Sequence, residues 1–120
     1  MASFTPIPTG DGSSTFYSEA FGEWFHSREG ARNEAQKTYV EASQLVRRAR
    51  TISERNKHLS ADASHARQAL KILDVCYGLG YNTAAALEAI WAVAPDCPVA
   101  VKALEIDIEV PRSAIAQNLL

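Results

Sequence analysis

A strand, a glycine turn and a helix follow one another without interruption in the second half of the chain. The apolar run Leu70–Val75 carries Asp74 near its end, Gly78 and Gly80 follow closely, and the alanine-rich residues 82–93 predict a helix. Glycines let the backbone approach a ligand closely, and a helix start offers free N–H groups. This order is typical of a nucleotide site in an α/β protein.

A second apolar strand, Val99–Leu104, ends at Glu105, about twenty-five residues after Gly80. An acidic residue at this point is placed to hydrogen-bond the hydroxyls of a ribose, and Asp107 is a second candidate. Residues 71–107 therefore predict a βαβ unit with a right-handed crossover and a parallel pair of strands.

Composition sets the broad class of the chain. Its 120 residues are 47% hydrophobic and 22% charged, with a net charge of −2, which indicates an ordinary globular domain. The first residues have neither the basic flank nor the apolar core of a signal peptide, and no apolar run is long enough to span a bilayer. The two cysteines have neither metal-site nor disulfide spacing, so we expect no metal site and a reducing, cytoplasmic location. The absence of a long apolar run also leads us to expect no membrane association.

Positive charge is concentrated in the middle of the chain. Residues 47–73 hold seven bases and two acids, whereas the flanking segments are acidic. Such a block is suited to a phosphate-rich partner, although the sequence alone favours a solvated helix face and linker. The bases are Arg47, Arg48, Arg50, Arg55, Lys57, Arg67 and Lys71.

The remaining segments predict a loop, a hairpin and three short helical stretches. Residues 4–14 are rich in Pro, Gly, Thr and Ser, and aromatic runs on both sides of Gly22 indicate a β-hairpin. The other expected elements are a helix at 29–40, a turn or two of helix at 45–52, a polar irregular linker at 54–67 and a last helix at 111–120.

Two parallel strands cannot bury both faces of a sheet by themselves, because parallel sheets are normally covered by helices on both sides. We therefore expect an incomplete sheet. It is the first part of a larger α/β enzyme, or it is completed by a partner chain or a second copy that covers the exposed strand edge.

The glycine pattern favours S-adenosylmethionine over a dinucleotide. The third glycine of the dinucleotide fingerprint is absent. The loop fits the acid-x-Gly-x-Gly-x-Gly pattern of S-adenosylmethionine-dependent methyltransferases, with Asp74 as the acid and Cys76 in the place of the first glycine. A carboxylate at Asp74 suits the positively charged methionine end, directly or through water, and Glu105 suits the ribose.

Two stretches carry a closer resemblance. The loop D-V-C-Y-G-L-G-Y-N-T and the upstream run T-G-D-G-S-S-T-F-Y-S-E-A-F-G-E-W-F-H-S-R-E-G-A-R-N-E-A resemble the MnmC-type tRNA (aminomethyl-2-thiouridine) methyltransferases, in their stand-alone form without an oxidase domain. The resemblance spans residues 4–109. It implies a Rossmann-like α/β methyltransferase that uses S-adenosylmethionine to methylate the aminomethyl group of a modified wobble uridine in tRNA.

The resemblance and the loop pattern together assign a cofactor site. Its expected members are Asp74, Cys76, Tyr77, Gly78, Gly80, Asn82, Glu105 and Asp107. Residues 11–18 and 26–30 match the N-terminal part that packs beside the site. We divide the chain into residues 1–70, a hairpin and helical segment with a basic linker, and residues 71–120, the first half of the S-adenosylmethionine-binding domain. The family carries a D-x-P or D-x-F motif after its fourth strand, and no fourth strand is expected here, so no catalytic residue is assigned and the chain is expected to be an N-terminal part.

Three other functions stay open. The chain is a non-catalytic remnant or a binding subunit, a nucleotide-dependent oxidoreductase, or a nucleic-acid-binding module that uses the basic block. The missing third glycine argues against the oxidoreductase. His26 has two interpretations: a general base, or a structural residue held by hydrogen bonds. A histidine at the end of an aromatic strand more often has the structural role.

Overall fold

The computed structural model describes residues 4–119, which form six short strands and four α-helices. The strands are β1 (Ile7–Pro8), β2 (Ser14–Thr15), β3 (Tyr17–Ser18), β4 (Glu23–Trp24), β5 (Leu70–Val75) and β6 (Val99–Leu104). The helices are α1 (Ala31–Glu34), α2 (Leu45–Lys57), α3 (Tyr81–Val93) and α4 (Glu109–Ala116). A π-helical segment, Ala35–Glu41, continues α1, and a 3-10 segment, Ala61–Ala66, follows α2. Residues 1–3 and 120 lie outside the described residues. The expected end of the last helix, at residue 120, is therefore outside them, as are the first residues of the segment in which no signal peptide was expected.

The parallel pair β5–β6 is the centre of the fold. The strands pair in register from Leu70 opposite Val99 to Val75 opposite Leu104, and α3 forms the connection between them. This arrangement confirms the predicted fold class, a partial Rossmann-like α/β unit. The bounds of both strands match the apolar runs of the sequence because each run stops at a polar loop.

The N-terminal strands form two small antiparallel pairs. β3 and β4 make the predicted hairpin, with Tyr17 opposite Trp24, and the two aromatic rings lie 5.0 Å apart. β1 pairs with β2, and both β1 and Ser14 of β2 lie in residues 4–14, which we predicted to be loop throughout. Each strand of that second pair has only two residues, too few to leave an alternating pattern in the sequence.

The prediction of an irregular linker at residues 54–67 is wrong for most of its length, because residues 54–57 belong to α2 and Ala61–Ala66 form the 3-10 segment. Helix α2 runs on to Lys57 because the apolar side chains that anchor it, Ala49 and Ile52, pack beside β5 and α3. The side chain of Asn56 then exchanges two hydrogen bonds with the backbone of Gln68, at 2.8 and 2.9 Å. Tertiary packing therefore extends the helix through a polar sequence that does not favour it strongly by itself.

The hydrophobic core draws on both halves of the sequence. One cluster joins Phe16 and residues of α1 and the π segment to residues of α3 and α4, and a second lies between α2, β5 and α3. The buried members of the first cluster are Phe16, Ala31, Ala35, Val40, Leu79, Tyr81, Ala85, Ala86, Val110 and Ala114. Whether residues 1–70 and 71–120 act as separate domains stays a prediction. Within residues 4–119, no helix has the length and apolar character that crossing a membrane requires.

The loop between β1 and β2 caps α1. The free amides of Ala31 and Arg32 donate to the hydroxyls of Thr9 and Ser13 at 3.3 and 3.2 Å, and the amide of Asn33 donates to the Asp11 carboxylate at 2.8 Å. Gly30, the residue before α1, has no side chain that could cap the helix, so these bonds satisfy the free amides instead.

Asp11 is the charged centre of this cap. Desolvation acts to raise the pKa of its carboxyl, but hydrogen bonds from Ser13, Asn33 and Thr9 outweigh it and hold that pKa far below 3.8. A side chain at position 30 would meet the Asp11 carboxylate at 2.8 Å, so glycine is required there. The ionised Asp11 therefore joins the loop to the helix.

Replacing Asp11 by Asn tests this cap. We expect the free energy of unfolding at pH 7 to fall by about 1–2 kcal/mol, the usual cost of a lost helix cap. Because the folded-state pKa is depressed, the ionised group stabilises the fold fully at pH values well above the unfolded-state pKa of 3.8, and this effect is lost as the pH falls through 3.8 toward the folded-state pKa. Urea unfolding at a series of pH values should therefore give a shallower acid limb for Asp11→Asn than for the exposed-site control Asp62→Asn. Identical limbs in the two variants would contradict the cap.

Candidate cofactor site

The turn after β5 depends on three residues in the left-handed region of the backbone. Cys76, Gly78 and Gly80 have φ angles of 63°, 59° and 98°, and Gly80 directly precedes α3. Glycine adopts such angles at no steric cost, whereas Cys76 pays about 1–2 kcal/mol. The result is a tight loop that brings the start of α3 beside the end of β5.

Glu105 connects this loop to the end of β6. One of its carboxylate oxygens accepts the amide of Gly78 at 2.7 Å, and the other accepts the amide of Asp107 at 3.0 Å. A carboxylate has about four lone-pair positions, so these two bonds leave room for further donors. Glu105 is half-buried and lines the cleft described below, where its remaining lone pairs can accept hydroxyl groups.

Asp74 connects the strand to the helix. Its side chain is buried, and one carboxylate oxygen accepts the hydroxyl of Thr83 in the first turn of α3. The Thr83 side chain thereby gives the carboxylate a partner in place of water, which offsets part of the cost of burying it. Asp74 and Thr83 both line the same cleft as Glu105.

The cleft has a volume of about 1030 Å³ and runs along the whole of β5. Cys76, Gly78, Asn82 and Glu105 line it on the side of the glycine loop. The facing wall comes from the N-terminal half of the chain: Phe25, His26, Glu34, Tyr39, Val40, Ala42, Ser43, Gln44, Leu45 and Arg48. Its volume reaches the upper end of the range that small-molecule sites occupy, so it has room for a nucleoside cofactor.

The structure brings five of the eight predicted site residues together at this cleft. They are Asp74, Cys76, Gly78, Asn82 and Glu105. The other three do not line it: Tyr77 donates its amide to the carbonyl of Leu104 at 2.9 Å, Gly80 shapes the turn, and Asp107 accepts the amide of Glu109 at the start of α4. The assignment of all eight to cofactor binding stays a prediction.

Asn82 supplies an independent sign that the cleft suits a polar ligand. Its side-chain oxygen is buried and accepts no hydrogen bond within the described residues. A buried acceptor without a partner costs about 1–3 kcal/mol, and native structures contain few of them. A hydrogen-bond donor on a ligand or a water molecule in the cleft would satisfy this oxygen.

His26 on the facing wall is part of a hydrogen-bonded cluster. Its ring nitrogen Nδ1 lies 3.0 Å from a carboxylate oxygen of Glu34, and its ring packs edge-on against Tyr81 with centroids 5.3 Å apart. The other oxygen of Glu34 accepts the amide of Ser27 at 3.2 Å. This surrounding agrees with the structural interpretation of His26 and does not single it out as a free base.

Sequence reasoning did not find three residues of this site. Thr83, the partner of Asp74, was treated only as part of a helix, although a hydroxyl in the first helical turn after an acidic strand end is a usable signal. Tyr39 and Arg48 reach the cleft because the π segment packs against α3 and α2 packs beside β5, and no local pattern reports that packing. Within residues 4–119, no group of three or more His, Cys, Asp or Glu side chains is arranged to hold a metal ion.

Comparisons with known proteins find a solved structure that the chain resembles. The chain matches the crystal structure of MnmC2 from Aquifex aeolicus with a TM-score of 0.65 and 26% sequence identity over 98% of its own length. The chain is therefore similar to an MnmC-type protein. This match confirms the resemblance that the two sequence stretches indicated. The MnmC-like chain covers 37% of the length of that neighbour. Neither a protein-family model nor a curated protein matches it.

Replacing Glu105 by Gln in the MnmC-like chain tests the bridge between the two loops. Gln keeps one oxygen acceptor but turns an NH₂ group toward the second backbone amide, so we expect the free energy of unfolding to fall by about 1–3 kcal/mol. Hydrogen exchange of the Gly78 amide should also become faster. Glu88→Gln, on the exposed side of α3, is the matched control. Equal stabilities for the two variants would show that the bridge carries no weight.

Proposed function

We propose that this chain forms the S-adenosylmethionine-binding part of a methyltransferase of the MnmC type, a tRNA modification enzyme of the cytoplasm. The observation that carries the proposal is the Glu105 bridge, which holds the glycine loop in a ligand-accepting shape at the end of β5. The likeness to MnmC2 supports the same family of enzymes. The proposed reaction is methylation of the aminomethyl group of a modified wobble uridine.

Each cleft residue has a distinct proposed role toward the cofactor. Glu105 accepts the ribose hydroxyls with its free lone pairs, and the buried oxygen of Asn82 accepts a further donor. Asp74 attracts the positively charged methionine end, directly or through water, while Thr83 keeps its carboxylate oriented. The glycines at 78 and 80 let the backbone approach the cofactor closely. Bound S-adenosylmethionine would supply an electrophilic methyl group.

The substrate amine must be uncharged and aligned with the methyl group for transfer to occur. The proposal assigns no base for this step to the described residues, because the D-x-P or D-x-F motif of the resembling family follows a fourth strand and the parallel sheet described here has two strands. His26 is engaged with Glu34 and is proposed to support the facing wall of the cleft.

We propose that further strands, from a partner chain or a second copy, complete the sheet. Leu73, Val75 and Leu104 lie on one face of the β5–β6 pair, and these residues are 64%, 59% and 55% exposed. Parallel sheets are normally covered on both faces, and a bare strand edge invites pairing. Light scattering should therefore detect concentration-dependent association that Leu73→Lys/Leu104→Lys weakens. The control, Phe21→Lys at the hairpin turn, should have no effect. A chain that stays monomeric at high concentration would contradict a second copy as the partner.

Titration calorimetry with S-adenosylmethionine tests the cofactor. Gly78→Val should abolish binding, because the new side chain blocks the close approach of the backbone. Gly22→Val is the matched control, since Gly22 also has a positive φ, 67° against 59°, and a Cβ there likewise meets one oxygen at 3.7 Å. The two variants therefore carry a similar backbone strain, and only one of them lies at the cleft.

Three results would bear on the proposal in different ways. Binding that is lost in Gly78→Val and kept in Gly22→Val supports it. No binding of S-adenosylmethionine by the folded parent chain contradicts it. Binding of a nicotinamide dinucleotide in its place would favour the oxidoreductase that the missing third glycine argues against.

A further inference from the structure

Helix α2 concentrates the positive charge of the chain. It carries five bases and one acid, a net charge of +4 in a chain of net charge −2, so the remainder carries −6. The bases are Arg47, Arg48, Arg50, Arg55 and Lys57. A helix of this kind attracts a polyanion locally although the whole chain is weakly acidic.

Three of these arginines share one flank of the helix. Arg48 and Arg55 are seven residues apart, which places them about 10.5 Å apart along one side, and Arg47 lies beside them. We call Arg47, Arg48 and Arg55 the arginine flank. Together with Gln44, Thr51, Ile52 and Leu70, they line a groove of about 340 Å³.

Two members of the arginine flank are held in place by hydrogen bonds that do not neutralise them. The Arg47 guanidinium donates to the side-chain oxygen of Gln44 at 3.2 Å, and Arg48 Nε donates to the carbonyl of Ser43 at 3.0 Å. Both acceptors are uncharged. Among residues 4–119, none of the ion pairs within 4.0 Å involves the flank, whereas Lys57 on the opposite side of α2 lies 4.0 Å from Glu54.

The groove is continuous with the cofactor cleft. Gln44, Arg48 and Leu70 line both, so Arg48 stands where the two meet. An extended anionic chain that lies along the arginine flank would therefore lead into the cleft. A membrane surface is flat and cannot follow a groove of this shape, but a phosphodiester strand can.

We infer that the arginine flank binds the phosphodiester backbone of a structured RNA and directs that RNA toward the cleft. Guanidinium groups match phosphate geometry through paired hydrogen bonds, and backbone contacts position a nucleic acid without reading its sequence. The choice of RNA and its direction toward the cleft rest on the proposed function, whereas the phosphodiester contact itself rests on the charge and shape of α2.

The test compares two flanks of the same helix. Arg47→Gln/Arg55→Gln removes two charges from the arginine flank, and the matched control Arg50→Gln/Lys57→Gln removes two charges from the other side. Gln has nearly the same helix propensity as Arg and Lys, so both variants should fold. Arg48 stays unchanged because it also lines the cleft. The probe is a short fluorescein-labelled RNA hairpin, followed by anisotropy at roughly 50–200 mM salt.

We expect the arginine-flank variant to bind the hairpin about tenfold more weakly. The slope of log K against log salt should become less negative by about 1–2, because phosphate contacts are lost. The control should stay close to the parent. Equal weakening in both variants, or no binding by the parent chain, overturns the inference. Binding to phosphatidylserine vesicles that exceeds binding to the hairpin also overturns it.

Calorimetry with S-adenosylmethionine on the same variants separates this inference from the proposed function. Unchanged cofactor binding with unchanged hairpin binding in Arg47→Gln/Arg55→Gln overturns the RNA surface alone. Hairpin binding that depends on the arginine flank in a chain without cofactor binding supports the RNA surface and contradicts the proposed function.

Discussion

A single carboxylate, that of Glu105, connects the two loops on which the candidate site depends. It accepts one amide from the glycine loop after β5 and one from the loop after β6, so the ends of the two parallel strands are tied together as well as paired. Hydrogen bonds to an ionised acceptor are about twice as strong as neutral ones. The Glu105 carboxylate also lines the cleft and keeps lone pairs that no backbone amide uses. The side chain that shapes the loop is therefore also available to a ligand.

The N-terminal half of the chain is built around the start of α3. Tyr81, in the first turn, accepts the amide of Ser14 at 3.0 Å and donates to the carbonyl of Leu119 at 3.3 Å, while its ring packs against His26. Asp11 in turn caps α1, whose continuation forms the facing wall of the cleft. The two sequence stretches that resemble the MnmC type therefore meet in space, because one supplies the loop and the other supplies the wall opposite to it.

The sequence was informative where a local pattern determined the structure. The strands Leu70–Val75 and Val99–Leu104 and the turn between β5 and α3 follow from apolar runs that end at glycine or acidic residues, and the structure has them at those positions. The length of α2 and the contact of Arg48 with the cleft follow from packing between distant segments, which leaves no periodic signal. Cys76 in the left-handed region was likewise invisible, since only its place in the glycine pattern was readable.

The central claim is that the glycine loop and Glu105 form a binding site for S-adenosylmethionine. Its most direct test is a titration of the ¹⁵N-labelled chain with S-adenosylmethionine, followed residue by residue through the backbone amide resonances. The account predicts that the largest shift changes fall at Gly78, Gly80, Asn82 and the residues next to Glu105, with none at the hairpin turn around Gly22. Resonances that do not move, or changes confined to the hairpin or to α2, would contradict it.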